Sequence, residues 1–169
     1  MTDHTATSVP NGPIPAVAGL VRRANALLAL TPPSLAGLAL RFAVAVPFYR
    51  SGLTKWDGFL QLSDTATYLF AEEFRLHVFG AEIPFPAPEV TAFLAGLGEV
   101  ALPVLLVLGL GTRFAALGLL FMTAIVQLTV PEGWANFHLP WAAILLAILV
   151  IGPGRIALDA VLAKVFRKR

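Results

Sequence analysis

Four long apolar runs, at about residues 35–53, 90–110, 114–130 and 138–151, dominate this chain. Runs of that length leave few folds open, because roughly 20 apolar residues carry a helix across a bilayer. They are continuous, without the period-two alternation of a transmembrane β-barrel. The composition agrees: of 169 residues, 57% are hydrophobic and 13% charged, and the mean hydropathy is +0.79, outside the usual range of soluble domains. The expected fold is an all-α membrane protein, a four-transmembrane-helix bundle with flanking amphipathic surface helices and one helix in the external loop.

The organisation follows from what lies between the runs. Residues 1–15 are polar and proline-rich, with no positive segment leading a hydrophobic core, so they predict a disordered lead and not a secretory signal. From Ala16 to Leu30 apolar residues recur at helical spacing around Arg22 and Arg23, the pattern of a helix lying on a membrane surface. Residues 16–159 form the predicted transmembrane domain, with an external loop at 56–89, and residues 160–169 a basic amphipathic tail attracted to anionic lipid at about 1 kcal/mol per cation. The loop carries Asp57, Asp64, Glu72, Glu73, Glu82 and Glu89 against Arg75. Arg22, Arg23, Arg113, Arg155, Lys164, Arg167, Lys168 and Arg169 lie on the other side. By the positive-inside rule a four-crossing chain then sits in the inner membrane with both termini cytoplasmic. Within the loop, residues 64–80 predict a helix capped by Asp64 and stopped at Gly80. Trp134 and Trp141 mark an interface near the short fourth run.

The basic residues cluster beside hydrophobic segments, which assigns the net charge of +2 to topology and lipid contact, with no nucleic-acid partner expected. There is no cysteine, which excludes thiol relays and thiolate metal sites within the chain. Any redox role therefore needs a cofactor.

Arg41 and Glu99 fall inside the first and second runs, where a lone charge costs about 2.5–3.5 kcal/mol. Their depths predict that they face each other as an ion pair. Arg41, Phe48, Gly52 and Lys55 share one helix face, and Ala92, Ala95 and Gly96 lie on the stripe of Glu99. Pro103 frees the carbonyl of Glu99, four residues back. One reading is a pair that only fixes helix register. The other is a polar interior, with Arg41, Phe48, Gly52, Gly96, Glu99 and Gln127 as candidates to hold a quinone-sized ligand or relay a proton. Arg50 fits snorkelling to headgroups and Lys55 with Trp56 an interface anchor. His138, at the outer mouth, is a candidate proton acceptor, or a residue that caps locally. Gln127 lines the interior or makes one interhelical hydrogen bond. His77 with Glu73 is a weak pattern for metal capture, and no metal is expected. Nucleotide, haem and zinc-protease motifs are absent.

Three stretches in order resemble the DoxX family of small four-helix bacterial membrane proteins: "RFAVAVPFYRSGLTKW" from Arg41, "GLGEVALPVLLVLGLGTRFAAL" from Gly96, and "GPGRIALD" from Gly152. The matching positions are Arg41, Ser51, Gly52 and Lys55; Glu99, Gly109, Thr112 and Arg113; and Gly152, Pro153, Gly154, Leu158 and Asp159. Members of that family include proteins similar to the membrane subunit of thiosulfate:quinone oxidoreductase, partners of thiol-stress enzymes, and companions of enzymes that modify metal-binding peptides. The resemblance implies the membrane subunit of a quinone-linked oxidoreductase or a redox or metal-stress system. In it Arg41, Glu99 and His138 would act on the quinone, and a partner protein would supply electrons. The alternative is a non-catalytic membrane scaffold that anchors partners, with the Arg41–Glu99 pair purely structural. Transport fits less well, since no repeat or ionisable path runs through the helices.

Overall fold

The computed structural model describes residues 13–167. Most of the expected polar lead and the last two residues of the basic tail lie outside the described residues. The chain divides into two units, residues 1–32 and 33–169. The first contains helix α1, Pro13–Leu28, in which Val17, Leu20, Val21, Leu27 and Leu28 are exposed.

The second unit begins with α2, Pro33–Leu53, whose proline start has no amide hydrogen to leave unpaired. Two short antiparallel strands, β1 (Trp56–Gly58) and β2 (Gln61–Leu62), follow. Helix α3 then spans Asp64–Tyr68 and widens into one looser helical turn at Leu69–Glu73. A second hairpin pairs β3 (Arg75–Val78) with β4 (Ala81–Pro84). Three long elements complete the bundle: α4 (Pro88–Leu108), α5 (Thr112–Thr129), and α6 (Leu139–Ile151), which is led in by helical turns from Pro131. Helix α7, Leu158–Phe166, ends the described chain.

Three segments are long and apolar enough to span a membrane: Pro88–Leu108, Thr112–Thr129 and Pro131–Ile151. The 21 residues of α2 reach about 31 Å at 1.5 Å per residue, and Arg41 and Arg50 lower its hydropathy. The protein is therefore a mostly helical, multi-pass membrane protein with three or four spans. One core joins the bundle: Val44 and Phe48 from α2, Leu106 from α4, Ala115, Ala116 and Leu119 from α5, and Leu145 and Ile148 from α6.

Helices α2 and α4 make the most extensive pairing, and glycine permits it. A Cβ on Gly52 would stand 2.9 Å from the backbone carbonyl carbon of Glu99, closer than real contacts allow. The carbonyl freed by Pro103 thus belongs to the residue against which Gly52 packs.

The segment between α2 and α4 departs from the expected single helix over residues 64–80. Ser63, not Asp64, caps α3, its hydroxyl accepting from the Ala66 amide at 3.1 Å. The helix ends at Glu73, and Phe74 is extended. Gly80 does not stop a helix. With Phe79 it forms a two-residue hairpin turn in which both residues have positive φ, 49° and 85°, the geometry that matches the twist of paired strands. Phe70, Phe74 and Phe85 pack together beneath these hairpins at 5.3–5.4 Å between ring centroids.

Candidate functional site

The Arg41–Glu99 pair does not form. Arg41 is 1% exposed and turns toward the end of the bundle where α4 passes into α5. It donates to the carbonyls of Leu106 at 3.4 Å and Val107 at 3.3 Å, and to that of Ile156. The first two belong to the last turn of α4, where partners within the helix run out and the Gly109 amide reaches back to the Leu106 carbonyl at 3.2 Å; a cation there also meets the negative end of the helix dipole.

Asp159 completes the same knot from the other side. Its carboxylate accepts the amides of Gly111 at 2.8 Å and Thr112 at 2.9 Å, and the Thr112 hydroxyl at 2.9 Å. It therefore caps the start of α5 from 47 residues away. Burial pushes the Asp159 carboxyl up, but the Thr112 and Gly111 donors and the Arg41 charge outweigh it and hold it below the ordinary carboxylate range. Gly109, at φ 70°, closes the turn, and a Cβ there would meet the Ala157 backbone at 2.8 Å. Arg41, Gly109, Thr112 and Asp159 thus form one fold-determining knot.

Glu99 pairs instead with Lys55, whose Nζ donates to Oε2 at 2.5 Å. Beyond Leu53 the chain tightens, with amides bonding three residues back at Thr54 and Lys55. That turn swings the Lys55 ammonium over Ser51, where it donates to Oγ at 3.2 Å and to the carbonyl at 3.5 Å. Lys55 is not an interface anchor: its side chain is 11% exposed and that of Glu99 8%. Trp56 fills a notch at Gly96, where a Cβ would lie 2.8 Å from the indole, and stands edge-on to Phe93 at 5.3 Å.

The Lys55–Glu99 pair forms the polar wall of a cavity of about 500 Å³. Leu94, Ala95, Gly98 and Leu102 of α4 and Phe121, Met122, Ile125 and Val126 of α5 make its apolar walls, and Phe70, Phe74 and Phe85 its roof. At its rim Leu94 is 60% and Phe121 66% exposed, so the mouth opens sideways on the apolar flank of the bundle. Such a volume and lining suit a small, largely apolar ligand held by a few polar groups.

Of the sequence candidates, only Glu99 lines this cavity. Gly52 packs against Glu99 and Gly96 against Trp56, and Phe48 lies in the core against Trp141, at 5.1 Å between ring centroids. Gln127 and His138 form a separate pair. The Gln127 amide donates to the Pro131 carbonyl at 3.2 Å, which aims its oxygen at His138 Nδ1, 2.7 Å away; that nitrogen therefore carries the hydrogen. His77 and Glu73 are held on different elements. His77 faces Glu82 across the hairpin at 3.8 Å, and its Nδ1 donates to the Leu128 carbonyl at 3.1 Å. Among the described residues no three histidine or carboxylate groups gather as metal ligands. Sequence reasoning missed Lys55 and Ser51 as site residues, although their four-residue spacing places both on one helix face.

The DoxX family model matches residues 36–132. The chain is also similar to an uncharacterized protein of Haemophilus influenzae, 30% identical over 140 residues that cover 76% of this chain and 84% of the relative. No solved structure matches it significantly. The match takes in α2, the two hairpins, α4 and α5, hence the cavity and its ion pair, and the chain belongs to the DoxX family.

Proposed function

We propose that this protein is an inner-membrane subunit of a quinone-linked redox or stress system, and that the cavity between α4 and α5 holds the quinone ring. The observation that carries this reading is a cavity of about 500 Å³, lined by aromatic and aliphatic side chains, with one ion pair, Lys55–Glu99, in its wall. A quinone is flat, apolar and soluble in the bilayer. It would enter through the rim between Leu94 and Phe121 without crossing water, and the polar edge of its ring would meet Ser51, Lys55 and Glu99. A quinone reduced to a quinol takes up two electrons and two protons. The chain has no cysteine to relay electrons, and in this reading a partner protein supplies or removes them. In this arrangement the protein crosses the membrane four times, with both termini in the cytoplasm, and the hairpins and cavity on the outer side. The excess of Arg and Lys at the opposite end favours that orientation. Arg41 has a folding role here and takes no part in ligand binding.

Organic extraction of the purified protein, followed by mass spectrometry, tests the reading. The wild type should release quinone near one equivalent. Ala95→Phe, which fills the cavity from α4, should release less than a tenth of that while keeping its unfolding temperature. Equal quinone in both proteins, or none in the wild type after gentle lipid-retaining solubilisation, would exclude the site. The second outcome would leave a scaffold that anchors partners, a reading favoured by the backbone hydrogen bonds that tie Arg41 and Asp159 into the α4–α5 knot.

A further inference from the structure

The hydrogen-bonding valences in the cavity are not balanced, and the imbalance selects a redox form. Lys55 has three hydrogens and three acceptors already in place: Glu99 Oε2 at 2.5 Å, Ser51 Oγ at 3.2 Å and the Ser51 carbonyl at 3.5 Å. Thr91 spends its hydroxyl hydrogen on the Pro86 carbonyl at 2.6 Å, and Thr129 on the Ile125 carbonyl at 2.9 Å. Among the lining side chains this leaves the Ser51 hydroxyl hydrogen as a neutral donor. On the acceptor side stands Glu99 Oε1, which has no hydrogen-bond partner among the described residues. A carboxylate has room for about four hydrogen bonds across its two oxygens, and Glu99 receives one.

From this we infer that the cavity prefers a ligand that donates a hydrogen bond, and so binds the hydroquinone form of its ring more tightly than the quinone form; the inference rests on the quinone reading above. A ring hydroxyl donating to Glu99 Oε1 makes a charge-assisted bond, roughly twice as strong as a neutral one. A quinone offers only acceptor oxygens. Its carbonyl has the Ser51 hydroxyl to meet, or must draw Lys55 away from its present acceptors, and Glu99 Oε1 is then left desolvated and unpaired. Sites with a fixed buried acceptor discriminate strongly against analogues that lack the matching donor. The same geometry makes Glu99 the group nearest to receive a proton from the bound hydroxyl, with Lys55 balancing the negative charge when that proton is absent.

The experiment compares three probes on the full chain in lipid nanodiscs without oxygen: decylhydroquinone, decylquinone and the dimethyl ether of decylhydroquinone, which keeps the shape of the first and loses its donors. Affinities come from displacement of tritiated decylhydroquinone. The inference predicts that decylhydroquinone binds at least 10-fold more tightly than either other probe, and that Glu99→Gln reduces this preference to less than 3-fold. Wild-type protein binding the quinone or the ether as tightly as the hydroquinone overturns the inference and leaves the quinone site standing. A preference that persists in Glu99→Gln overturns the assignment of Glu99 as its source. Failure of all three probes to bind overturns both the inference and the proposed function. The comparison within the wild type needs no variant, so it holds whatever Glu99→Gln does to folding.

Discussion

A buried charge is tolerated when its partners are fixed, and here Arg41 in α2 and Lys55 just beyond it find different kinds of partner. Arg41 takes backbone carbonyls at the end of α4, while Asp159 takes amides at the start of α5. Lys55 takes the carboxylate that Arg41 was expected to hold. Replacing Asp159 by Asn leaves the shape and removes the charge that makes these hydrogen bonds strong, a loss of about 2 kcal/mol. The pH dependence has a definite sign. Asp159 has a lowered value in the folded protein, so its contribution is complete above the ordinary carboxylate value of about 4. It is lost as pH falls through the lowered value, because protonation then favours the unfolded chain. Thermal unfolding in detergent at pH 7 and at pH 3 should show a smaller difference between the two pH values in Asp159→Asn than in the wild type. Sequence reading identified Arg41 and Glu99 as interior charges because each interrupts an apolar run. It could not identify their partners, since a helix-end carbonyl is presented by every residue type and leaves no mark in the sequence. Lys55 was obscured because it stands beside Trp56 at the end of the apolar run, where an interface anchor is the ordinary reading.

The helices were legible because long apolar runs admit little else, and the core positions Phe48, Gly52 and Glu99 lie on the faces that helical spacing assigns them. The segment between α2 and α4 was less legible. Its aromatic and β-branched residues suit a strand as well as a short helix, and Phe79 occupies a left-handed position that glycine or asparagine more often fills. The contact of α2 with α4 gives the sharpest test at this scale. Gly52→Leu forces the Glu99 backbone away from α2 and should cost about 3 kcal/mol or more, the upper end of overpacking. Gly37→Ala, also in α2 but with nothing within 4 Å of the added carbon, should be neutral or stabilising by up to about 1 kcal/mol. Denaturant-dependent unfolding of both variants in mild detergent separates them. Equal stability in the two would mean that α2 and α4 do not meet at Gly52.

Taken whole, the molecule places an apolar cavity and its ion pair at the hairpin end and a charged knot at the other, with one core of four helices between them. The absence of cysteine makes the orientation directly testable. In intact cells a membrane-impermeant maleimide should label Phe79→Cys, at the tip of the second hairpin, and should leave Leu162→Cys on α7 unlabelled until the cells are opened. The reverse pattern would invert the topology and put the cavity on the cytoplasmic side. If the space between α4 and α5 holds the ligand, photo-crosslinking of the membrane-embedded protein with an azido-quinone, read by peptide mass spectrometry, will mark its walls. Label concentrated on Leu94, Phe121 and Met122, and suppressed by excess quinone, is the predicted result. Label that is absent, or that falls on the α2 surface around Phe42 and Tyr49 with those three residues unmarked, would contradict it.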